Sequence, residues 1–227
     1  MGNFQILKTA YISLLIQFIV GIIGIYGILI PLKEKDGILT DILIMETTVQ
    51  IIEFIFYIWL IFQLSRLSYD VTYTRYFDWF ISTPIVLLST IFFMTYLNNI
   101  NSKTIITLSS IINKKFYSII KIVVSNFFML LSGFLAEVKK ISRSNGFILG
   151  TIALFYTFYI IYTEFVGDNL INLYLFSFML FVWFIYGIAF LFPYVKKNTF
   201  YNFLDIFSKN FYGLFIFYII LKTANYI

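Results

Sequence analysis

The feature that most constrains this sequence is the repeated alternation of long apolar blocks with short polar or charged stretches. A helix needs about 20 mostly apolar residues to cross the hydrocarbon core of a bilayer. The chain has 227 residues, of which 61% are hydrophobic. The turn-like stretches predict seven helices, at residues 6–30, 39–64, 70–98, 117–138, 146–166, 170–194 and 199–225. We therefore expect an all-α membrane protein with seven transmembrane helices in a single domain, 1–227.

The composition also excludes several classes of function. The chain has no Cys and no His, which excludes disulfides and thiol catalysis and removes the usual residues of zinc sites and Ser/His/Asp triads. The formal net charge of +5 is typical of a basic rim beside anionic lipid. We expect a lipid bilayer as partner, no nucleic acid, no metal site and no enzyme activity.

Neither end of the chain nor its loops give a clear topology signal. The first apolar block is too long for the core of a signal peptide, so we interpret it as the first membrane span. Lysine and arginine in the loops usually set the orientation, but here they divide evenly between the two sides. The orientation therefore stays open at the level of sequence.

The seventh predicted helix carries ionisable residues at membrane depth. Asn202, Asp205 and Lys209 are spaced by three and four residues, which places them on one helix face. Ionisable groups inside a membrane are costly and usually functional. The alternative is a buried ion pair that fixes helix packing, although such pairs often contribute little net stability.

The third predicted helix contains a second polar group of residues. It reads Arg75-Tyr76-Phe77-Asp78-Trp79-Phe80-Ile81-Ser82-Thr83-Pro84. Arg75 and Asp78 are one turn apart, and Pro84 removes a backbone hydrogen bond that nearby hydroxyl groups can help to replace. Taken alone, this pattern is also consistent with a structural kink.

Together, these two motifs resemble those of the microbial rhodopsins. The family's third-helix motif, Arg-Tyr-x-Asp-Trp-x-x-Thr-Thr-Pro, is matched from Arg75 to Pro84 with Ser82 in place of the first Thr. Its seventh-helix motif, Asp-x-x-x-Lys, is matched by Asp205 and Lys209. The resemblance extends over all seven helices, although the fifth aligns poorly and contributes no residue to the expected site.

The resemblance implies a retinal-binding protein. All-trans retinal would form a Schiff base with Lys209, and Asp78 and Asp205 would balance its positive charge, with Arg75 balancing the second carboxylate. Trp79 and Trp183 would enclose the polyene. The other expected pocket residues are Thr83, Met129, Gly133, Tyr186 and Phe190.

Two substitutions argue against an efficient proton pump. Outward pumps of the family carry a carboxylic acid where this chain has Ser89. Near the start of the seventh helix, where familiar pumps have a glutamate, the chain has Lys197, and residues 192–202 include no acidic residue. These differences weaken the pump hypothesis without excluding it. Gly187 also replaces the proline of familiar pumps on the sixth helix.

The second helix carries an unusual polar stripe of Glu46, Gln50, Glu53 and Tyr57. Its two carboxylates lie about 10 Å apart along the helix axis at 1.5 Å per residue. The stripe could be a pair of neutral acids that hold the bundle together. It could also line a water-filled cation route with polar residues of the first and seventh helices, since acidic side chains select cations.

The same pattern is similar to that of the group 1 viral rhodopsins of giant viruses, which are light-gated cation channels. This similarity implies passive conduction of monovalent cations or protons, with the channel in a host-cell membrane if the chain is viral. The alternatives are a light-driven outward proton pump and a sensory rhodopsin, and a homo-oligomer stays open. The expected ion pathway consists of Ser13, Gln17, Glu46, Gln50, Glu53, Ser82 and Asn202.

Overall fold

The computed structural model describes residues 2–66, 70–102 and 104–226, and this part of the chain contains seven long helices and no strand. All seven are long and apolar enough to cross a membrane. We call the side of the membrane where α1 begins the N-terminal side. The helices are α1 (Gly2–Ile28), α2 (Ile38–Arg66), α3 (Arg75–Asn98), α4 (Leu108–Glu137), α5 (Arg143–Ile161), α6 (Leu170–Phe190) and α7 (Tyr194–Thr223).

The burial pattern is that of a membrane protein. Large apolar side chains face outward, including Leu15 at 60% and Phe181 at 63% exposure, whereas Glu46 and Arg75 are fully buried. A bundle in lipid can expose apolar groups at no cost, but it must bury and pair its charges. The prediction of an all-α, seven-helix membrane protein is therefore confirmed.

Several helix boundaries differ from the prediction. The polar stretch before residue 117 was predicted as a loop, but α4 begins at Leu108. Thr107 and Ser110 form a reciprocal capping box there, which satisfies the first free amides of the helix. The helix then kinks at Lys115, where φ is −115° and ψ is 22°.

The α1 and α5 helices begin at Gly2 and Arg143, before the predicted residues 6 and 146, and further differences lie at the ends of α3, α6 and α7. The α3 helix begins at Arg75 after a short 3-10 turn, Thr72–Thr74, and not at residue 70. The α6 helix ends at Phe190, and α7 begins directly after Pro193, whose fixed φ and missing N–H suit a helix start. The separator predicted at residues 195–198 is thus the first turn of α7.

The described part of the chain contains two π-helical turns. One, Tyr162–Val166, follows α5, and the other, Ile206–Asn210, lies inside α7 and includes Lys209. π-helical turns insert an extra residue and occur frequently at functional sites. The irregular turn in α7 thus coincides with the lysine that the motif singles out.

Glycines allow α1 to approach α2 and α7 closely. A Cβ atom added at Gly27 would lie 2.6 Å from both Leu43 of α2 and Phe217 of α7. At Gly21, by contrast, the nearest atom to an added Cβ is in Gln50, at 3.9 Å. The contact among the three helices therefore depends on the absence of a side chain at Gly27.

We expect Gly27→Ala to lower the thermal unfolding temperature, because the packed side chains of Leu43 and Phe217 must shift to accommodate one methyl group, at a cost of roughly 1–3 kcal/mol. Gly21→Ala is the matched control, and alanine's higher helix propensity should leave its stability equal or slightly increased. Equal unfolding temperatures for the two variants in detergent or nanodiscs would contradict the close contact.

Candidate functional site

The Lys209 amine lies among three carboxylates in the centre of the bundle. Its Nζ atom is 3.2 Å from Oδ2 of Asp78 and 3.5 Å from Oδ1 of Asp205. It also donates a hydrogen bond to Glu53 of α2. All four residues are buried. Glu53 was predicted only as part of an ion pathway, and its direct contact with Lys209 is an additional finding.

The charges of this cluster do not balance if every group is ionised. Lys209 and Arg75 supply two positive charges, whereas Glu53, Asp78 and Asp205 supply three negative ones. An uncompensated charge in a buried site is costly. We therefore infer that one of the three acids keeps its proton.

Asp205 has the most extensive set of donors. Tyr57 of α2 and Tyr186 of α6 each donate a hydrogen bond to one of its oxygens at 2.7 Å. Nη1 of Arg75 lies 3.5 Å from Oδ2 of the same carboxylate. Donors of this kind stabilise a carboxylate anion, so Asp205 is suited to remain ionised.

Two asparagines of α7 hold Arg75. Asn198 Oδ1 accepts a hydrogen bond from Nε of Arg75 at 2.9 Å, and Asn202 Oδ1 accepts one from Nη2 at 2.5 Å. Asn202 in turn donates to Thr9 of α1 at 2.8 Å. Asn198 was not predicted as a site residue, although its position one turn before Asn202 on the same helix is a usable sequence signal.

Beside Lys209 lies a largely apolar cavity, the usual setting of a small-molecule site. Among the described residues, Lys209 is the one lysine that lines it. Aromatic rings form much of its wall; Trp79 and Tyr201 have ring centroids 4.8 Å apart, and Tyr186 stacks on Tyr201 at 5.8 Å. All the predicted pocket residues that are not charge partners of Lys209 line it: Trp79, Thr83, Met129, Gly133, Trp183, Tyr186 and Phe190.

The α5 helix, from which no site residue was predicted, forms one wall of the cavity. Five of its residues contribute: Gly146, Phe147, Gly150, Thr151 and Leu154. Two glycines allow close packing beside the cavity, because a Cβ at Gly133 of α4 would meet the Tyr76 hydroxyl at 2.5 Å and one at Gly146 of α5 would meet Ala136 at 2.6 Å. Small residues without a charged partner carry little sequence signal, which explains why this wall was missed.

The predicted pathway residues of α1 and α7 meet close to Glu53. Gln17 donates a hydrogen bond to Glu53 Oε2 at 3.3 Å, and Ser13 donates to the backbone carbonyl of Asn202 at 2.7 Å. Ser82 is fully buried on α3, one turn after Asp78. These residues therefore lie around the charged cluster and not in a separate part of the bundle.

A narrow crevice between α1, α2 and α7 begins one helical turn beyond Glu53, toward the opposite side. Glu46, Thr47, Gln50 and Gly213 are among its lining residues, and it is too narrow to hold a water molecule in this state. Neither side-chain polar atom of Gln50, nor Thr47 Oγ1, forms a hydrogen bond within the described part of the chain. Because buried polar atoms usually have a partner, these atoms would bind water or an ion if the crevice widened.

Two acidic residues occupy the ends of the proton path that appeared altered in the sequence. The Ser89 hydroxyl donates to Glu46, so a carboxyl group of α2 lies where α3 itself has none. At the other end, Lys197 Nζ contacts both oxygens of Glu137 at 2.6 and 2.8 Å. Each of these acids comes from a different helix than in familiar pumps.

The family model described as bacteriorhodopsin-like protein matches residues 8–223. The chain belongs to this family. It is a microbial rhodopsin similar to viral rhodopsins, as the sequence motifs predicted. Members of the family bind retinal and act as ion pumps, channels or sensors, so the coarse expectation of a rhodopsin in ion transport is confirmed.

Solved structures support the same assignment. The crystal structure of viral rhodopsin OLPVRII is 26% identical, with a TM-score of 0.83 over 96% of this chain and 98% of that one. Blue light-absorbing proteorhodopsin from Med12 is 18% identical, with a TM-score of 0.75 over 97% of this chain and 98% of that one. Bromide-bound halorhodopsin from Halobacterium salinarum is 15% identical, with a TM-score of 0.76 over 99% of this chain and 95% of that one. The last two show a common fold alone. A comparison with curated protein sequences gave no match.

The Glu137–Lys197 pair gives a test of the buried charges on the N-terminal side. Its two side chains are 4% and 1% exposed. Lys197→Met leaves Glu137 without a partner and should destabilise the protein by roughly 3–5 kcal/mol. The double variant Lys197→Met/Glu137→Gln should recover most of this loss, because no buried charge remains unpaired. Thermal unfolding of the four proteins of the cycle measures the coupling, and additive effects would contradict it.

Proposed function

We propose that this chain is a light-gated cation channel that holds retinal on Lys209 and conducts cations passively between α1, α2 and α7. One observation carries the proposal. A line of buried polar groups extends from the charged cluster at Lys209 through Glu53 and Gln50 to Glu46, and several of its atoms have no partner in the described protein. Polar, acidic linings of this type select and conduct cations.

The cavity fits a retinal molecule in polarity and position. Trp79, Trp183 and Tyr186 supply flat apolar surfaces, and glycines of α4 and α5 are among the lining residues. Bound retinal would supply light absorption and a light-driven change of shape at the Lys209 nitrogen. Every further step of the proposed mechanism depends on residues of this chain.

The proposed gating step begins with a proton transfer. The proton on the Lys209 nitrogen moves to Asp78, whose Oδ2 lies 3.2 Å away. The Lys209 nitrogen and Asp78 are then both neutral, so Arg75, Asp205 and Glu53 face a different local field. Rearrangement of these side chains opens the polar line to water and cations, which then flow down their gradient.

The same side chains explain a preference for cations. Glu53 and Glu46 project carboxyl groups into the route, whereas the positive charges of Arg75 and Lys209 are held by acidic or amide partners. An anion entering the route would meet carboxyl groups, and the basic side chains beside the route are already paired. If the chain is viral, such a channel would lie in a host-cell membrane and would depolarise that membrane.

We expect Lys209→Ala to abolish visible absorption completely when all-trans retinal is added, because the variant lacks the amine that lines the cavity in the described part of the chain. Lys222→Ala, which removes an exposed lysine later on the same helix, should keep the colour. Absorption spectra of both purified variants with retinal decide the matter. A coloured Lys209→Ala protein would show that retinal is attached elsewhere.

Whole-cell voltage clamp under illumination tests the channel itself. The light-evoked current should reverse with the cation gradient, and Glu53→Gln or Glu46→Gln should lower it by about three-fold or more, or shift the reversal potential, while the protein remains coloured. Asp168→Asn, which neutralises an exposed acid in the α5–α6 connection, is the control. Unchanged currents in both glutamate variants would refute the proposed route.

One contact favours a second candidate function, an outward proton pump. Glu46 accepts a hydrogen bond from Ser89, which places a carboxyl group within reach of the position where pumps carry their internal acid. A pump would give an outward light-evoked current at zero voltage in symmetric solutions. In that case Glu46→Gln should slow the recovery of the dark spectrum, because reprotonation would lose its internal donor.

A further inference from the structure

On the N-terminal side, hydrogen bonds connect the membrane surface with the charged cluster. Exposed Asp70 accepts a hydrogen bond from the Thr72 hydroxyl at 2.5 Å, and Asn198 Nδ2 donates to that hydroxyl at 2.7 Å. Asn198 also accepts from Nε of Arg75 at 2.9 Å, and Arg75 belongs to the Lys209 cluster. Polar groups thus follow one another from the surface to the centre of the bundle.

Beyond the crevice, on the side opposite the N-terminal side, this sequence of polar groups stops. The next turn of each surrounding helix carries a large apolar side chain: Leu43 comes three residues before Glu46, Phe93 four residues after Ser89, and Ile216 three residues after Gly213. These three side chains are 1%, 0% and 0% exposed. With Leu39, Ile42 and Ile220, each fully buried, they form what we call the apolar layer.

Polar contacts resume on the far side of the apolar layer. The Tyr96 hydroxyl donates a hydrogen bond to Oδ1 of Asp36, in the α1–α2 connection, at 2.8 Å. Tyr96 follows Ser89 by seven residues, which is about 10 Å along the helix. The apolar layer therefore separates two polar regions by about two helical turns.

We propose that the apolar layer is the closed gate of the cation route. This inference rests on the proposed channel function and adds the position of the barrier. A constriction lined only by apolar side chains excludes water, and an ion without water or polar partners cannot cross it. The charged cluster at Lys209 then acts as the trigger, and the barrier itself lies a few turns away from it.

The α7 helix connects the trigger with the gate. Ile216 follows Lys209 by seven residues on the same helix, about 10 Å along its axis. The π-helical turn Ile206–Asn210 lies between the first part of α7 and Ile216. Gly213 leaves α7 without a side chain where it faces Gln50 and Glu46 of α2. A movement of α7 at Lys209 would therefore shift Ile216 relative to Leu43.

The first test is a dark current. Ile216→Asn places an amide in the apolar layer and should raise the conductance in darkness about ten-fold over the original protein by admitting water. Ile122→Asn is the matched control, because Ile122 is equally buried on α4 but away from the polar line. Visible colour with retinal verifies that both variants fold.

The outcomes of this test separate the gate from the channel. If the original protein conducts in light but Ile216→Asn and Ile122→Asn have equal dark currents, the apolar layer is not the gate and the channel stands. If the original protein gives only a pump current, the channel and its gate both fail. If either variant lacks colour, the second test replaces this one.

The second test uses the absence of cysteine from the chain. Lys35→Cys lies exposed in the α1–α2 connection, on the outer side of the apolar layer, and Thr47→Cys lies in the crevice, on its inner side. A charged, membrane-impermeant thiol reagent added from the side opposite the N-terminal side should modify Lys35→Cys in darkness but Thr47→Cys only in light. Equal rates for the two variants in darkness would overturn the proposal.

Discussion

The structure depends on carboxylates that balance the positive charge of one buried amine, Lys209, in a low-dielectric interior. Lys209 is 2% exposed, and its charge is stable there only with carboxylates at short range. Three helices besides α7 supply the partners or their holders: Glu53 comes from α2, Asp78 from α3, and Tyr186 from α6. The positions of these helices around α7 are therefore restricted by one charge.

The charge of Lys209 is balanced by more than a simple pair of carboxylates, because a third acid, Glu53, also contacts it. With Glu53 in contact with Lys209, three acids face two basic groups, and Gln17 and Tyr57 connect Glu53 and Asp205 with α1 and α2. A change in protonation at Asp78 thus affects side chains of α1 and α2 directly. This connection between the lysine and the helices of the polar line is the physical reason to favour ion conduction through that line.

The sequence was sufficient to predict what periodicity and rare charges encode. The seven helices follow from hydrophobicity, and Lys209, Asp78 and Asp205 stand out because ionisable residues are rare at membrane depth. Contacts between helices were not predictable in the same way. Ser89 and Lys197 were interpreted as the loss of two acids, whereas Glu46 and Glu137 reach these positions from other helices. Distances between helices are not encoded in spacing along one helix.

The same reasoning explains the missed parts of the cavity and the helix ends. The α5 wall consists of glycines and apolar residues whose role depends only on what faces them, and such residues give no signal in a sequence that is apolar throughout. The start of α4 was missed because Thr107 and Ser110 were interpreted as loop residues, although polar residues of this kind also cap helices.

The distribution of polar groups along the bundle is asymmetric, and this asymmetry restricts the mechanism. A pump needs alternating access to both sides of Lys209, whereas a channel needs only the removal of one barrier. Hydrogen-bonded side chains already extend from Asp70 to Arg75 on the N-terminal side. The apolar layer then leaves one dry segment on the opposite side. Opening that segment while the N-terminal half remains polar would connect the two solutions, which produces passive flow and dissipates any gradient that a pump would build.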